Sequence, residues 1–212
     1  VIIVDPAEHD PLLDLVAETR ANCVTVGRNT RALSWVDNDF FKATTEALQH
    51  LCRAKPSRPA FFLTETSSLY VREELSAYLD WCSGTGTEPV IIRSPSVRMD
   101  AAEPAITAAL RDPARKFDAV VTTLDTLAVA VERSAQTLGL SIPDDLQILS
   151  LADSRYLSVG FPTPVTALDL QPKRLGEAAV DLLVTEIEGG QDHTQQLIDS
   201  SLMVRESTLP AD

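Results

Sequence analysis

Apolar residues in this chain come in short runs separated by stretches of helical period, and the alternation persists from one end to the other. Its clearest example runs from Phe117 to Gly176. There Ala119–Thr122 is a compact, mostly apolar run behind an Asp, and Leu127, Ala128, Val131, Ala135 and Leu138 follow at the spacing of one helix face. Gly139 stands where a left-handed residue would end that helix, with Leu140 behind it to pack back. Pro143 blocks further helix, and Leu146–Leu151 forms a second buried run. Two apolar strands joined by one helix predict a right-handed β-α-β unit of a parallel sheet.

The same grammar predicts strands at Val1–Val4, Cys23–Val26, Trp35–Val36, Ala60–Leu63 and Pro89–Ile92, and a single closing strand at Gln195–Val204. Helices are predicted from Pro11 to Arg20, from behind Asp37-Asn38 to Cys52, around Leu75, Tyr78, Leu79 and Cys82, from Asp100 to Arg111, and from Pro172 to Glu188. Asp100 and Glu103 have the spacing of a capping box, and Gly189-Gly190 stops the last helix. Strands and helices alternating throughout indicate an α/β protein with parallel sheet covered on both faces. Polar, Pro-rich Lys55–Pro59 and the interruption at Phe161–Pro164 mark places where the chain crosses between lobes.

Composition narrows the function. The 212 residues carry 31 acidic against 18 basic side chains, a net charge of −13 with no Lys/Arg cluster. Phosphate contacts from basic side chains supply most non-specific nucleic-acid affinity, so this polypeptide by itself is not expected to bind DNA. No apolar run approaches the roughly 18–20 residues that span a bilayer, and VIIVDPAEHD lacks the basic start of a signal peptide. Cys23, Cys52 and Cys82 have no paired spacing, which points to reduced thiols in a cytoplasmic protein. His9, His50 and His193 fall in no metal-ligand pattern, and no nucleophile elbow or phosphate-binding loop is present. The expectation is no enzyme, no metal and no cofactor.

Three segments carry a resemblance: TLGLSIPDDLQILSL, TPVTALDLQPKRLGEAAV and LMVREST, in this order and spacing. Together with Trp35-Val36-Asp37-Asn38 they resemble the effector-binding domain of the lac/galactose repressor (LacI/GalR) family of bacterial transcription regulators. The resemblance implies a periplasmic-binding-protein-like fold of type I: two Rossmann-like lobes with parallel sheets, three crossovers and a small-molecule effector in the cleft. It places residues 1–57 and 165–193 in the first lobe, and 58–164 and 194–212 in the second. Val1 would fall on the third strand of the first lobe, leaving that lobe incomplete and the helix-turn-helix head absent. The implied partners are an effector (a sugar, nucleoside or related compound), operator DNA through the missing head, and a second copy in a homodimer, with no membrane. A periplasmic sugar-binding protein of a transport system is the alternative, and a regulator that has lost small-molecule sensing a third reading.

The effector positions implied by the resemblance are Asp37, Tyr70, Arg72, Glu74, Leu124, Asp125, Ala152 and Asp153. Several depart from the family pattern. Relatives place Asn-Asp where this chain has Leu124-Asp125, and Asp-Asp or Asp-Asn where it has Ala152-Asp153. The family's Arg, four residues before a helix aromatic, corresponds to Glu74 when counted back from Tyr78, with Arg72 nearby. Carboxylates and guanidinium groups bind hydroxyl-rich ligands through directional, charge-assisted hydrogen bonds, so these departures imply an altered ligand class or lost binding. The residues also have simpler readings. Asp37 and Asp125 are candidates for helix N-caps, Arg72 for a solvated helix residue, and Tyr70 for packing.

Overall fold

The computed structural model describes residues 1–19, 21–64, 68–114, 116–154, 162–190 and 193–209. In chain order the described elements are β1 (Ile2–Val4), α1 (Pro11–Thr19), β2 (Val24–Val26), β3 (Ser34–Asn38), α2 (Phe40–Leu51), β4 (Pro59–Thr64), α3 (Leu69–Thr85), β5 (Val90–Ser94) and α4 (Met99–Arg111). They continue with β6 (Ala119–Thr122), α5 (Asp125–Thr137), β7 (Gln147–Ser150), β8 (Thr166–Asp169), α6 (Pro172–Ile187), β9 (Gln195–Ile198) and β10 (Ser201–Met203). Contacts divide the chain into two compact units. Unit 1 is Val1–Phe40, Thr66–Glu73 and Leu170–Ser200, and unit 2 is Phe41–Glu65, Glu74–Asp169 and Ser201–Asp212.

Unit 1 is built on a four-stranded parallel sheet in the order β1-β2-β3-β9. Val24, Val36 and Ile198 pack against Leu175 and Ala179 of α6, and Ile3 and Cys23 against Leu13 and Val16 of α1. Unit 2 carries a six-stranded sheet in the order β10-β8-β7-β6-β4-β5. Five of its strands are parallel, and β10 closes one edge antiparallel to β8. One face of that sheet, including Ala60, Phe62, Val120 and Ile148, packs on α4 and α5 through Ile106, Leu110, Leu127 and Val131. On the other face Phe61 stacks on Tyr78 of α3 with ring centroids 5.1 Å apart.

The predicted β-α-β unit is present as β6-α5-β7, and its helix ends as expected. Gly139 adopts φ +69°, its N–H bonds Gln136 O at 3.1 Å, and the N–H of Leu140 bonds Ala135 O at 2.9 Å. That pair of bonds is the Schellman closure of a helix by a left-handed residue. Two expectations need correction. Gln195–Val204 is two strands rather than one: Asp199 and Ser200 separate β9, which pairs with β3 in unit 1, from β10, which pairs with β8 in unit 2. Residues 194–212 are therefore divided between the sheets. The capping box at Asp100 does not form, because α4 starts at Met99 and the Asp100 carboxylate is drawn to the Arg98 guanidinium at 2.9 and 3.1 Å. The α4 N-cap, Arg98, makes no side-chain cap bond. Arg20 and Phe161 lie outside the described residues.

Tyr78 ties α3 to the starts of two strands. Its buried hydroxyl lies 2.9 Å from Pro59 O, and it accepts the Val90 N–H at 2.8 Å. Replacing Tyr78 by Phe keeps the ring and orphans the Val90 N–H and the Pro59 carbonyl. Chemical denaturation is expected to show a loss of about 1–3 kcal/mol. A loss below about 0.5 kcal/mol would mean that water serves these groups equally well.

Candidate functional site

In parallel α/β sheets, ligands bind beyond the carboxyl ends of the strands. In unit 2 the residues after β6 and β7 stand at that edge, while the tail behind β10 runs antiparallel to β8 toward its start and forms a clasp there. The Arg205 guanidinium meets Asp153 Oδ2 at 2.6 Å and Oδ1 at 3.4 Å, and donates to Val165 O at 2.5 Å. The two side chains are only 13% and 3% exposed, so the pair is shielded from water. Ser207 then links two strands: its hydroxyl donates to Ile148 O at 2.6 Å and accepts the Thr166 N–H at 2.8 Å. Thr166 Oγ1 accepts the Arg205 N–H at 2.9 Å and lies 2.8 Å from Thr208 Oγ1, which sits 3.0 Å from His50 Nε2 on α2. Burial and nearby Arg53 hold the His50 pKa below the usual imidazole value.

Of the remaining unit 2 candidates, Leu124 and Asp125 follow β6, Ala152 follows β7 and Glu74 lies on α3. Leu124 occupies the N-cap position of α5 without a side-chain cap and packs half-buried on the core beneath. Asp125 is therefore the first helical residue and not the N-cap; its Oδ2 accepts the Ser154 N–H at 2.8 Å. Ala152 lies in a turn held by Ser150, whose hydroxyl donates to Ala152 O at 2.7 Å. Glu74 of α3 is buried, and its Oε2 has no hydrogen-bond partner among the described residues. Burial alone pushes its carboxyl pKa well above the usual range. The folded state therefore holds this proton to higher pH than the unfolded chain does. That contribution to stability is complete below the unfolded pKa and is lost as pH rises through the folded one.

Unit 1 gathers a second group at the carboxyl edge of its own sheet. Asp5, left-handed at φ +49°, follows β1; Gly27 and Arg28 follow β2, and Asp37 stands near the end of β3. Gly27 has φ +108°, and a Cβ there would come within 3.3 Å of Pro6. The Arg28 N–H donates to Asp37 Oδ2 at 3.0 Å, while the Asn38 N–H donates to Oδ1 at 2.9 Å. Asp37 thus fixes a turn, and helix α2 begins three residues later, so it is not the N-cap either. The Arg28 guanidinium lies 5.3 Å from the centre of the Trp35 ring and pairs with Glu73. Burial raises the pKa values of Asp37 and Asp5; backbone N–H groups oppose the rise at Asp37, and Ser68 opposes it at Asp5. Arg72 is an exposed helix residue paired with Glu8, and Tyr70 packs its ring 5.4 Å from that of Phe40.

Sequence reasoning singled out Asp37, Tyr70 and Arg72 here and missed Asp5, Arg28 and Glu73. The signal for two of them was available: Asp5-Pro6 and Gly27-Arg28 each follow a predicted strand directly, and adjacent parallel strands bring those positions together. No group of three or more His, Cys, Asp or Glu side chains among the described residues is placed to hold a metal ion. No described helix is long and apolar enough to cross a membrane.

The family described as periplasmic binding protein-like domain matches residues 48–208. The chain belongs to that family. Within it, the relatives are transcriptional regulators. MalR of Staphylococcus xylosus is 27% identical over 214 residues, covering 98% of this chain and 61% of the relative. A LacI family regulator from Mycobacterium smegmatis has a solved structure that is 26% identical with a TM-score of 0.81, covering 98% of this chain and 78% of that one. The CelR–cellobiose complex gives a TM-score of 0.86 at 24% identity, over 98% of this chain and 65% of that one. The chain thus spans about three fifths of MalR. These matches place it with the effector-binding domains of LacI/GalR-type regulators and confirm the periplasmic-binding-protein-like fold.

In this LacI-type domain the Asp153 carboxylate is engaged by Arg205. Asp153→Ala would leave the guanidinium shielded from water and without its counter-charge. Denaturant titration is expected to show a loss of about 3–5 kcal/mol. Loss of ligand response with stability unchanged would assign Asp153 to the ligand instead.

Proposed function

We propose that this domain senses a small-molecule effector and supports dimerisation in a LacI-type transcriptional regulator, a repressor working in the cytoplasm. The supporting observation is the match to regulators along 98% of the chain, combined with polar groups gathered at the carboxyl edges of both sheets. Units 1 and 2 are then the two lobes of the domain. The candidate contact residues are Asp37, Tyr70 and Arg72 in unit 1, and Glu74, Leu124, Asp125, Ala152 and Asp153 in unit 2. The effector is a sugar, nucleoside or related compound; the name of the CelR complex, with cellobiose, supports the first.

The chemistry of these edges is recognition. Hydrogen-bonding side chains line them, and the domain binds its ligand without turning it over. Operator DNA is contacted through a separate head, because a chain of net charge −13 repels a polyanion. Paired heads in a homodimer suit a near-palindromic site. The effector acts by favouring one of two conformations to which it binds with different affinity.

Fluorescence anisotropy on the promoter of the protein's own gene tests this reading. The protein expressed from its complete gene is expected to bind, with one member of a sugar and nucleoside panel changing the affinity about 5-fold or more. The 212-residue chain alone is expected not to bind. Salt-sensitive binding by the chain alone, or no promoter binding by the whole protein, would overturn it.

A further inference from the structure

Helix α4 buries one side and leaves the other bare. Ala102, Ile106 and Leu110 sink into the core of unit 2, while Asp100, Pro104, Ala108 and Arg111 stay exposed. With the half-buried Glu103 and Thr107 they line an open groove of about 530 Å³. The six fall into three pairs about the midpoint between Ala105 and Ile106: Asp100 with Arg111, Glu103 with Ala108, and Pro104 with Thr107. Eleven residues make three turns, so Asp100 and Arg111 share one side of the helix about 16 Å apart. Within one chain they are too far apart to pair.

A two-fold axis through that midpoint brings them together. It lays α4 of a second copy antiparallel on the first, and each position meets its symmetric mate. Asp100 meets Arg111 of the partner subunit, and Glu103, one turn further along, brackets the same guanidinium. The exchange occurs twice, once at each end. Between the ends lie Pro104, Thr107 and Ala108, short side chains that let two helices approach closely. Thr107 Oγ1 lies 2.7 Å from Ser134 Oγ of α5, so its hydroxyl is already served. Glu103 and Arg111 make no ion pair or side-chain hydrogen bond among the described residues. Arg98 holds Asp100 in a pair 75% and 69% exposed, which contributes little and leaves room for a second guanidinium.

Charge selects the occupant. Two chains of net charge −13 repel each other, so copies meet best where both signs are matched locally. A two-fold interface uses the same patch on both copies and must be its own complement, as this helix face is.

We infer that α4 is the surface through which two copies of this chain pair, antiparallel about a two-fold axis. The inference rests on the homodimer proposed above and names its interface in unit 2.

Sedimentation velocity over a dilution series, on the protein expressed from its complete gene, tests the assignment. The unaltered protein is expected to dimerise. Asp100→Arg sets arginine against arginine at both ends of the helix pair, and Arg111→Asp sets aspartate against aspartate. Each is expected to raise the dimer dissociation constant about 10-fold or more. Mixed in equal amounts, the two variants again match opposite charges at both ends, and the mixture is expected to come within about 3-fold of the unaltered protein. Both positions are exposed, so circular dichroism is expected to show an unchanged fold. Variants that dimerise like the unaltered protein, or a mixture that stays dissociated, overturn the inference and leave the homodimer standing. A monomeric unaltered protein overturns both.

Discussion

A guanidinium and a carboxylate shielded from water are each costly without a partner of opposite charge, and Arg205 and Asp153 meet at 2.6 Å. The arrangement of unit 2 follows from that requirement. Holding Arg205 in place fixes the tail behind β10 and carries Ser207 and Thr208 into the sheet. There the Ser207 hydroxyl joins β7 to β8, and Thr208 links β8 to His50 of α2. The tail thus supplies hydrogen bonds that Ile148 and Thr166 would otherwise lack. Because buried polar groups are costly when unmatched, residues 204–209 are part of the fold rather than an appendage to it.

The clasp also separates two duties that the sequence places side by side. Ala152 and Asp153 occupy one short turn, yet Asp153 turns inward to the ion pair while Ala152 shows only a methyl group. Leu124 does the same at the start of α5, capping nothing and packing downward. Of the other unit 2 candidates, Glu74 and Asp125 keep polar side chains outside the clasp. Unit 1 meets the same problem differently. Its acidic groups are kept in place by main-chain N–H donors and by an arginine laid over Trp35.

Much of this was legible in the residues. Apolar runs located most strands to within two residues, because buried parallel strands need continuous aliphatic sequence. Gly139 ended its helix as read, since the left-handed conformation is nearly free only for glycine. The misreadings have common physical causes. Asp37, Asp100 and Asp125 all looked like capping residues, but each is engaged by another partner: backbone N–H groups beside Asp37, the Arg98 guanidinium beside Asp100, and Ser154 beside Asp125. Two residues, Asp199 and Ser200, were enough to send consecutive strands to different sheets, and periodicity does not register a break that short. The role of LMVREST was also hidden. Its family likeness was visible, but the partners of Arg205, Ser207 and Thr208 lie about 40 to 160 residues away in the sequence.

Native-state hydrogen exchange at single amides tests the central claim, that the tail is integral to unit 2. The decisive amides are those of Ile148, Thr166, Arg205, Ser207 and Leu209, each bonded within the clasp or beside it. The account predicts that they open only with global unfolding of the unit, at the same free energy as the central strands β6 and β7. Exchange of Arg205, Ser207 and Leu209 several kcal/mol below that level, as in a fraying chain end, would contradict it.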